Sequence, residues 1–237
     1  MTQREKEDKL VETLKDPDED NQPVKIIDKA IKDKHKVYLS TDWHLWRRKV
    51  KGKSECTKRS DFDKLIKNVN NTLGENDVLI YLGDLVDGEF TDKEALKDVL
   101  KTMSGKKIIV LGNNDLFSKS FYKSCGFDYV VQSFVWHNVL FTHMPVKNDN
   151  DINVHGHIHG YRTYWIPYTN QIDVGAFGGR NELVELKDIL KKQKAYSKTI
   201  KECPEHFEEG YTCPIRDGVS LFSSICGSYI QPDPFDD

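Results

Sequence analysis

The chain has 237 residues, 38% of them apolar and 31% charged, with a formal net charge of −3. That is enough apolar material for one core of ordinary size, with or without extensions, and the slight acidity excludes a general affinity for nucleic acid. No apolar run approaches the ~18 residues of a membrane span, the opening MTQREKEDKL lacks the apolar centre of a signal peptide, and five cysteines without framework spacing fit a reducing cytoplasm.

Residues 1–34 are charged almost throughout and broken at Pro17 and Pro23. Leu10, Val11 and Leu14 would support one weak amphipathic helix and Ile26, Ile27 and Ile31 a second, so this stretch reads as a charged extension. The body follows at residues 35–198, and residues 199–237 read as an acidic tail.

The first core strand is expected over residues 36–41, ending at Asp42 with His44 two residues on. A strand points residues i and i+2 to one side, so both side chains would reach one point if the extended geometry persists. Residues 47–59 then hold seven bases and one acid. A solvated loop is the ordinary reading of such a run. Its place just after two candidate ligands makes Arg47 and Arg48 candidates for gripping a phosphorylated substrate.

Ser60, Asp61 and Asp63 open a helix with Phe62, Leu65, Ile66 and Val69 on its inner face. The run Val78–Leu82 is too short for a lone helix and reads as a fully buried strand stopped by Gly83, with Asp84 next. A carboxylate at that position must be solvated, paired or metal-bound. A helix over residues 91–103 presents Ala95, Leu96, Val99 and Leu100 inward, and Gly105 ends it. A strand over 108–111 leads to Asn113, and a short helix is expected over 117–124. Residues 129–136 and 139–142 read as a hairpin about His137-Asn138, with Asn taking the positive φ. Its second strand ends in His143, and the INVHG run at 152–156 ends in His157, with His159 beyond. Strands over 171–174 and 183–186 and a Lys-rich helix from 187 to about 197 finish the body. No internal repeat is visible. Cys203, His206, Cys213 and Cys226 in the tail match no zinc-finger spacing.

Strand–helix alternation followed by short antiparallel strands implies an α/β chain in which one sheet joins a second. In open α/β sheets the site forms beyond the carboxyl ends of the strands. Asp42, His44, Asp84, Asn113, His143, His157 and His159 would therefore converge on one edge. Each motif alone is weak, but DWH at 42–44, GDLVD at 83–87, GNND at 112–115, His143 and GHIH at 156–159 occur in order, each after an apolar run.

This set resembles the calcineurin-like metallophosphoesterase superfamily, whose signature is DxH, GDxxD, GNH(D/E), H and GHxH. The resemblance implies a four-layer sandwich of two mixed sheets flanked by helices. It also implies a dinuclear metal site: one ion on Asp42, His44, the bridging Asp84 and His159, the other on Asp84, Asn113, His143 and His157. Carboxylate and imidazole donors without thiolates suit Mn²⁺ first, with Fe, Zn²⁺ or Ni²⁺ as alternatives. The implied activity is hydrolysis of phosphomonoesters or phosphodiesters by attack of a metal-bridged hydroxide. The implied partner is a phosphorylated small molecule or nucleotide. Gly83, Gly112 and Gly156 precede ligands, where a missing Cβ permits close backbone approach. Asp87 is expected to orient a ligand, Asp115 to orient its neighbours, and His155 to pack at a strand end.

The departure from the signature is Asn114, which stands where the superfamily has His. An amide can hydrogen-bond a phosphoryl group but cannot protonate a leaving oxygen, help often worth ~10²–10⁴ in rate. Asn114 is thus a candidate catalytic residue of altered kind. Two rival functions follow: a metal-binding scaffold with weakened turnover, and a nuclease. For the nuclease, Arg47, Arg48, Lys49, Lys51 and Lys53 would grip phosphates and Trp43 or Trp46 would stack on bases. Tyr161, Tyr164, Trp165 and Tyr168 would line a pocket or pack in the core.

Overall fold

The computed structural model describes residues 21–45, 59–86, 92–146, 152–158, 165–166, 171–175, 182–191 and 194. Among the described residues ten strands form two five-stranded sheets. The basic run at 47–58, Asp87, His159, Tyr161, Tyr164, Tyr168 and the tail lie outside the described residues.

The first sheet is built from β1 (Val37–Ser40), β2 (Val78–Tyr81), β3 (Lys106–Val110) and β4 (Tyr129–Val131), all parallel, with β10 (Val184–Glu185) antiparallel on the β1 edge. Parallel pairing needs crossovers, and α2 (Arg59–Thr72), α3 (Lys93–Leu100) and α4 (Lys119–Ser124) supply them. Both faces of these strands are largely buried, so their sequences are mostly apolar, apart from Ser40 and the two lysines that open β3. Tyr38, Leu79, Tyr81 and Ile109 pack on the helices, with Leu65, Ile66 and Val69 of α2 and Leu96 and Leu100 of α3. Leu39, Ile80, Ile108 and Val110 face the other way.

What they face is the second sheet, in the order β5 (Phe134–Trp136), β6 (Val139–Phe141), β7 (Ile152–His155), β9 (Gln171–Asp173) and β8 (Trp165–Ile166). Phe134, Phe141, Val154 and Ile172 complete the core between the sheets, and the Phe134 and Phe141 rings stack at 4.8 Å. On the other side of this sheet Leu140, Met144 and Val146 form a smaller cluster. Two mixed sheets flanked by helices is the architecture that the motif order implied.

Two expectations need correction. Residues 129–136 are not one strand: the chain leaves the first sheet after Val131 and enters the second at Phe134. An apolar run records burial but not which sheet buries it. The hairpin at 137–138 forms, yet His137 takes the positive φ (52°) rather than Asn138.

The stretch read as a charged extension also contributes to the core. From Gln22 to Lys32 it forms α1, with Pro23 near its start, and buries Ile27 and Ala30 among the inter-sheet residues while Ile31 stays 46% exposed. Asp28 accepts from the Trp136 indole N–H at 2.8 Å, tying the helix to β5. Among the described residues no helix is long and apolar enough to cross a membrane.

Candidate metal centre

The site is assembled by extending strand pairing past the strand ends. After β1 and β2, Leu82 N–H donates to Ser40 O, Asp42 N–H to Gly83 O, His44 N–H to Asp84 O and Leu45 N–H to Leu85 O, at 2.8–3.0 Å. The DWH and GDL segments therefore run side by side. In the second sheet Thr142 N–H donates to Val154 O and Gly156 N–H to His143 O, which aligns His143 with the GHI segment. The sheets are joined across the edge by His157 N–H to Asp42 Oδ2 (2.9 Å) and by His143 Nδ1–H to Leu82 O (2.7 Å).

The backbone reaches this arrangement through left-handed residues. Asp42, His44, Asp84 and His157 have φ of 54°, 44°, 55° and 71°. Such conformations cost an L-residue about 1–3 kcal/mol each and persist where the surroundings over-determine them. Extended geometry was expected to carry Asp42 and His44 to one point. They do approach, with His44 Nε2 3.8 Å from Asp42 Oδ1, but by turning rather than by alternation.

Two glycines make room. A Cβ on Gly156 would lie 1.9 Å from Thr41 Oγ1, and one on Gly83, itself at φ +87°, would lie 2.6 Å from His143 Nδ1 and 2.7 Å from Gly112 N. The close approach expected from their positions in the motifs is real.

The donor atoms fall into two groups that share Asp84: Asp42, His44 and Asp84, and Asp84, His143 and His157. Within each group the atoms lie within 4.8 Å of one another. Asp84 Oδ2 is 3.6 Å from His44 Nε2, and Asp84 Oδ1 is 3.4 Å from His143 Nε2. Asn113 joins the second group with Oδ1 3.0 Å from His143 Nε2, and His157 Nδ1 lies 3.2 Å from the same atom. His159 lies beyond the described residues.

This arrangement fits a cation. Asp42 and Asp84 are carboxylates at 0% and 1% exposure. Because His143 gives its Nδ1 proton to Leu82 O, Nε2 is the atom that faces an amide oxygen, an imidazole nitrogen and a carboxylate oxygen, and it offers a lone pair there once its own proton is displaced. Convergent lone pairs of N and O type are the donor set of a divalent first-row metal.

The same geometry governs the protons. Burial works against an imidazolium at His143, but the hydrogen bond and charge of Asp84, helped by Asp42 and the Leu82 carbonyl, outweigh it and hold the group up at about 9. Burial also opposes charge on Asp84, yet His143 and two hydrogen bonds from Asn114 win and hold that carboxyl well below the usual carboxylate range. His155, buried behind the site with Nδ1–H on Gly156 O, is pushed down by burial to about 4. It packs as expected and belongs to neither group.

Asn114 and Asp115 hold rather than line the site. Asn114 donates its backbone N–H to Asp84 Oδ1 (2.9 Å) and its side-chain N–H to Asp84 Oδ2 (2.7 Å). The buried Asp115 carboxylate accepts from Asp84 N–H, Gly112 N–H, Leu85 N–H and the Tyr122 hydroxyl, at 2.8–3.0 Å. Burial nevertheless pushes its carboxyl up, with the charge of Asp84 adding to the effect.

Tyr81 and Tyr122 escaped the sequence reading. The Tyr81 hydroxyl accepts from Trp43 N–H (2.8 Å) and reaches Asp84 O (3.3 Å). A hydroxyl inside an otherwise apolar strand needs a partner, and that was the available signal. Trp43, proposed to stack on bases, is a core residue instead: it is 3% exposed, its ring edges onto Tyr81 at 4.7 Å, and its indole N–H donates to Ser40 Oγ.

The chain is 27% identical over 110 residues to an uncharacterised protein of Methanocaldococcus jannaschii, a match spanning 45% of this chain and 57% of that relative. Among solved structures, a protein of unknown function from Aquifex aeolicus is similar at 20% identity and a TM-score of 0.47, covering 66% of this chain and 98% of that one. A Pseudomonas putida nuclease is similar at 19% identity and a TM-score of 0.39, covering 52% and 61%. The family model of calcineurin-like phosphoesterases matches residues 35–217, over most of the chain. The chain belongs to the calcineurin-like phosphoesterase family.

Proposed function

We propose that this chain is a metal-dependent hydrolase of phosphoester bonds that works with two divalent ions. The observation carrying this reading is the pair of donor groups that share Asp84. Asp42, His44 and Asp84, with His159, would hold one ion; Asp84, Asn113, His143 and His157 would hold the other. Mn²⁺ is the first candidate, since the donors are oxygens and imidazoles. When bound, two such ions supply a nucleophile from water at neutral pH and neutralise charge on the phosphoryl oxygens.

The chain's own residues do the rest. Leu82 O holds the Nδ1 proton of His143 so that Nε2 faces the site, and His143, once its Nε2 proton is displaced, would join His157 and Asn113 as donors opposite two carboxylates. Arg47 and Arg48 are proposed to bind the substrate phosphate, and residues 35–198 to be the catalytic domain. Asn114 cannot give up a proton, so the leaving group must depart largely unaided. Diesters and aryl esters should therefore be cleaved better than alkyl monoesters.

The test is metal-loaded protein assayed on chromogenic mono- and diesters of graded leaving-group acidity, beside Asp84→Asn. Steep dependence on leaving-group acidity in the native protein, and loss of turnover in the variant, are expected. No turnover on any ester with metal bound would leave a metal-binding scaffold instead. A shallow dependence would mean that another residue is the acid.

A further inference from the structure

We propose that Asn114 is a positioning residue, whose amide and backbone N–H form a fork that turns one oxygen of Asp84 toward each group of donors. The inference rests on the reading that both groups hold metal ions.

A carboxylate turns easily about its last torsion, because that torsion is broad and two-fold. Asp115 fixes the backbone of Asp84 through the Asp84 and Leu85 N–H groups but does not touch its carboxylate. Asn114 does, at both oxygens: its backbone N–H lies 2.9 Å from Oδ1 and its side-chain N–H 2.7 Å from Oδ2. Among the described residues Asn114 is the donor that the two oxygens share.

With one lone pair of each oxygen taken, the others are aimed. Oδ1 faces His143 Nε2 at 3.4 Å and Oδ2 faces His44 Nε2 at 3.6 Å. Each oxygen thus belongs to a different donor group, which is the condition for one carboxylate to serve two ions. The orientation of the Asn114 amide follows as well, because its own oxygen placed against Asp84 would set two acceptors together. The residue that departs from the superfamily signature is committed to holding the shared ligand.

The experiment uses the full chain, stripped with chelator and titrated with Mn²⁺ by calorimetry and electron paramagnetic resonance. The native protein should bind two ions and show the exchange-coupled spectrum of a pair. Asn114→Ala should keep its fold by circular dichroism but bind the second ion roughly 10–100-fold more weakly, as losses of partners behind metal ligands commonly do. Its coupled spectrum should fade toward that of isolated ions. Asn114→Asp, nearly the same shape, puts an acceptor where the donor was and should lose more; it carries the test if Asn114→Ala fails to fold. Asn114→His, which restores a ring N–H donor, should recover the coupled spectrum.

If the native protein binds fewer than two ions, the functional reading above fails and this inference falls with it. If the native protein binds a coupled pair and both Asn114→Ala and Asn114→Asp bind it within threefold and with an unchanged spectrum, the inference is overturned while that reading stands.

Discussion

Asp115→Ala removes the acceptor that ties the end of β2 to the end of β3. In the native protein its carboxylate takes hydrogen bonds from Asp84 N–H and Gly112 N–H at 2.8 Å and from Leu85 N–H and Tyr122 O–H at 3.0 Å. Alanine leaves four buried donors, each costing about 1–3 kcal/mol if nothing replaces the acceptor. Two effects reduce the sum. A water entering the vacated space can satisfy about two of the donors, and the variant no longer bears the cost of a buried charge, which the raised Asp115 carboxyl reveals. The net loss should be about 3–5 kcal/mol, the range for breaking a buried charged network. That is a large part of a typical stability of about 5–15 kcal/mol, and corresponds to a fall in Tm of roughly 6–20 °C for a domain of this size. Tyr122→Phe deletes one donor and leaves three, so it should cost only about 1.5–3 kcal/mol. Urea and thermal denaturation of metal-free protein isolate folding from metal binding. A loss below about 1 kcal/mol in Asp115→Ala would refute the view that this carboxylate holds the two loops together.

Further outcomes are expected. His143 keeps a proton up to about 9 because of Asp84, and metal must displace it. Mn²⁺ affinity should thus rise with pH toward 9 with release of about one proton per His143 site. Calorimetry in buffers of different ionisation enthalpy measures that release, and none at pH 7.5 would refute the coupling. In metal-free protein the sign reverses: a folded value above the ordinary 6.5 stabilises below 6.5, and this contribution is lost as pH rises through 9. Ile27→Ala should cost about 2–5 kcal/mol by urea denaturation, because Ile27 is fully buried between the sheets. A change under 0.5 kcal/mol would return α1 to the charged extension. Gly156→Ala sets a Cβ 1.9 Å from Thr41 Oγ1 and 2.7 Å from Asp42 Oδ2. It should cost about 1–3 kcal/mol and weaken metal binding; an unchanged Mn²⁺ titration would contradict the packing around Asp42.

The residues proposed as donors stood out in the sequence because most of them stand close behind an apolar run. Asp84 comes two residues after Leu82, and His157 two after His155, where a parallel strand must end. The two-sheet architecture was legible for the same reason, since buried parallel strands are written as unbroken apolar runs. Local order along the chain carries both.

Contacts between distant residues lay beyond that order. From the sequence Asn114 is an amide for a phosphoryl group, and only the tertiary structure puts its donor on Asp84, 30 residues away. Asp115 was expected to orient neighbours, but its four donors come from Asp84, Leu85, Gly112 and Tyr122. Helix α1 is so charged that Ile27 and Ala30 look incidental until two sheets close over them. Residues 129–136 divide between sheets because Val131 pairs with β3 while Phe134 pairs with β6. An apolar period states that a side chain will be buried and a motif states that a donor will be placed. Which surface buries the one, and which hydrogen bond aims the other, depends on segments brought together only when the whole core forms.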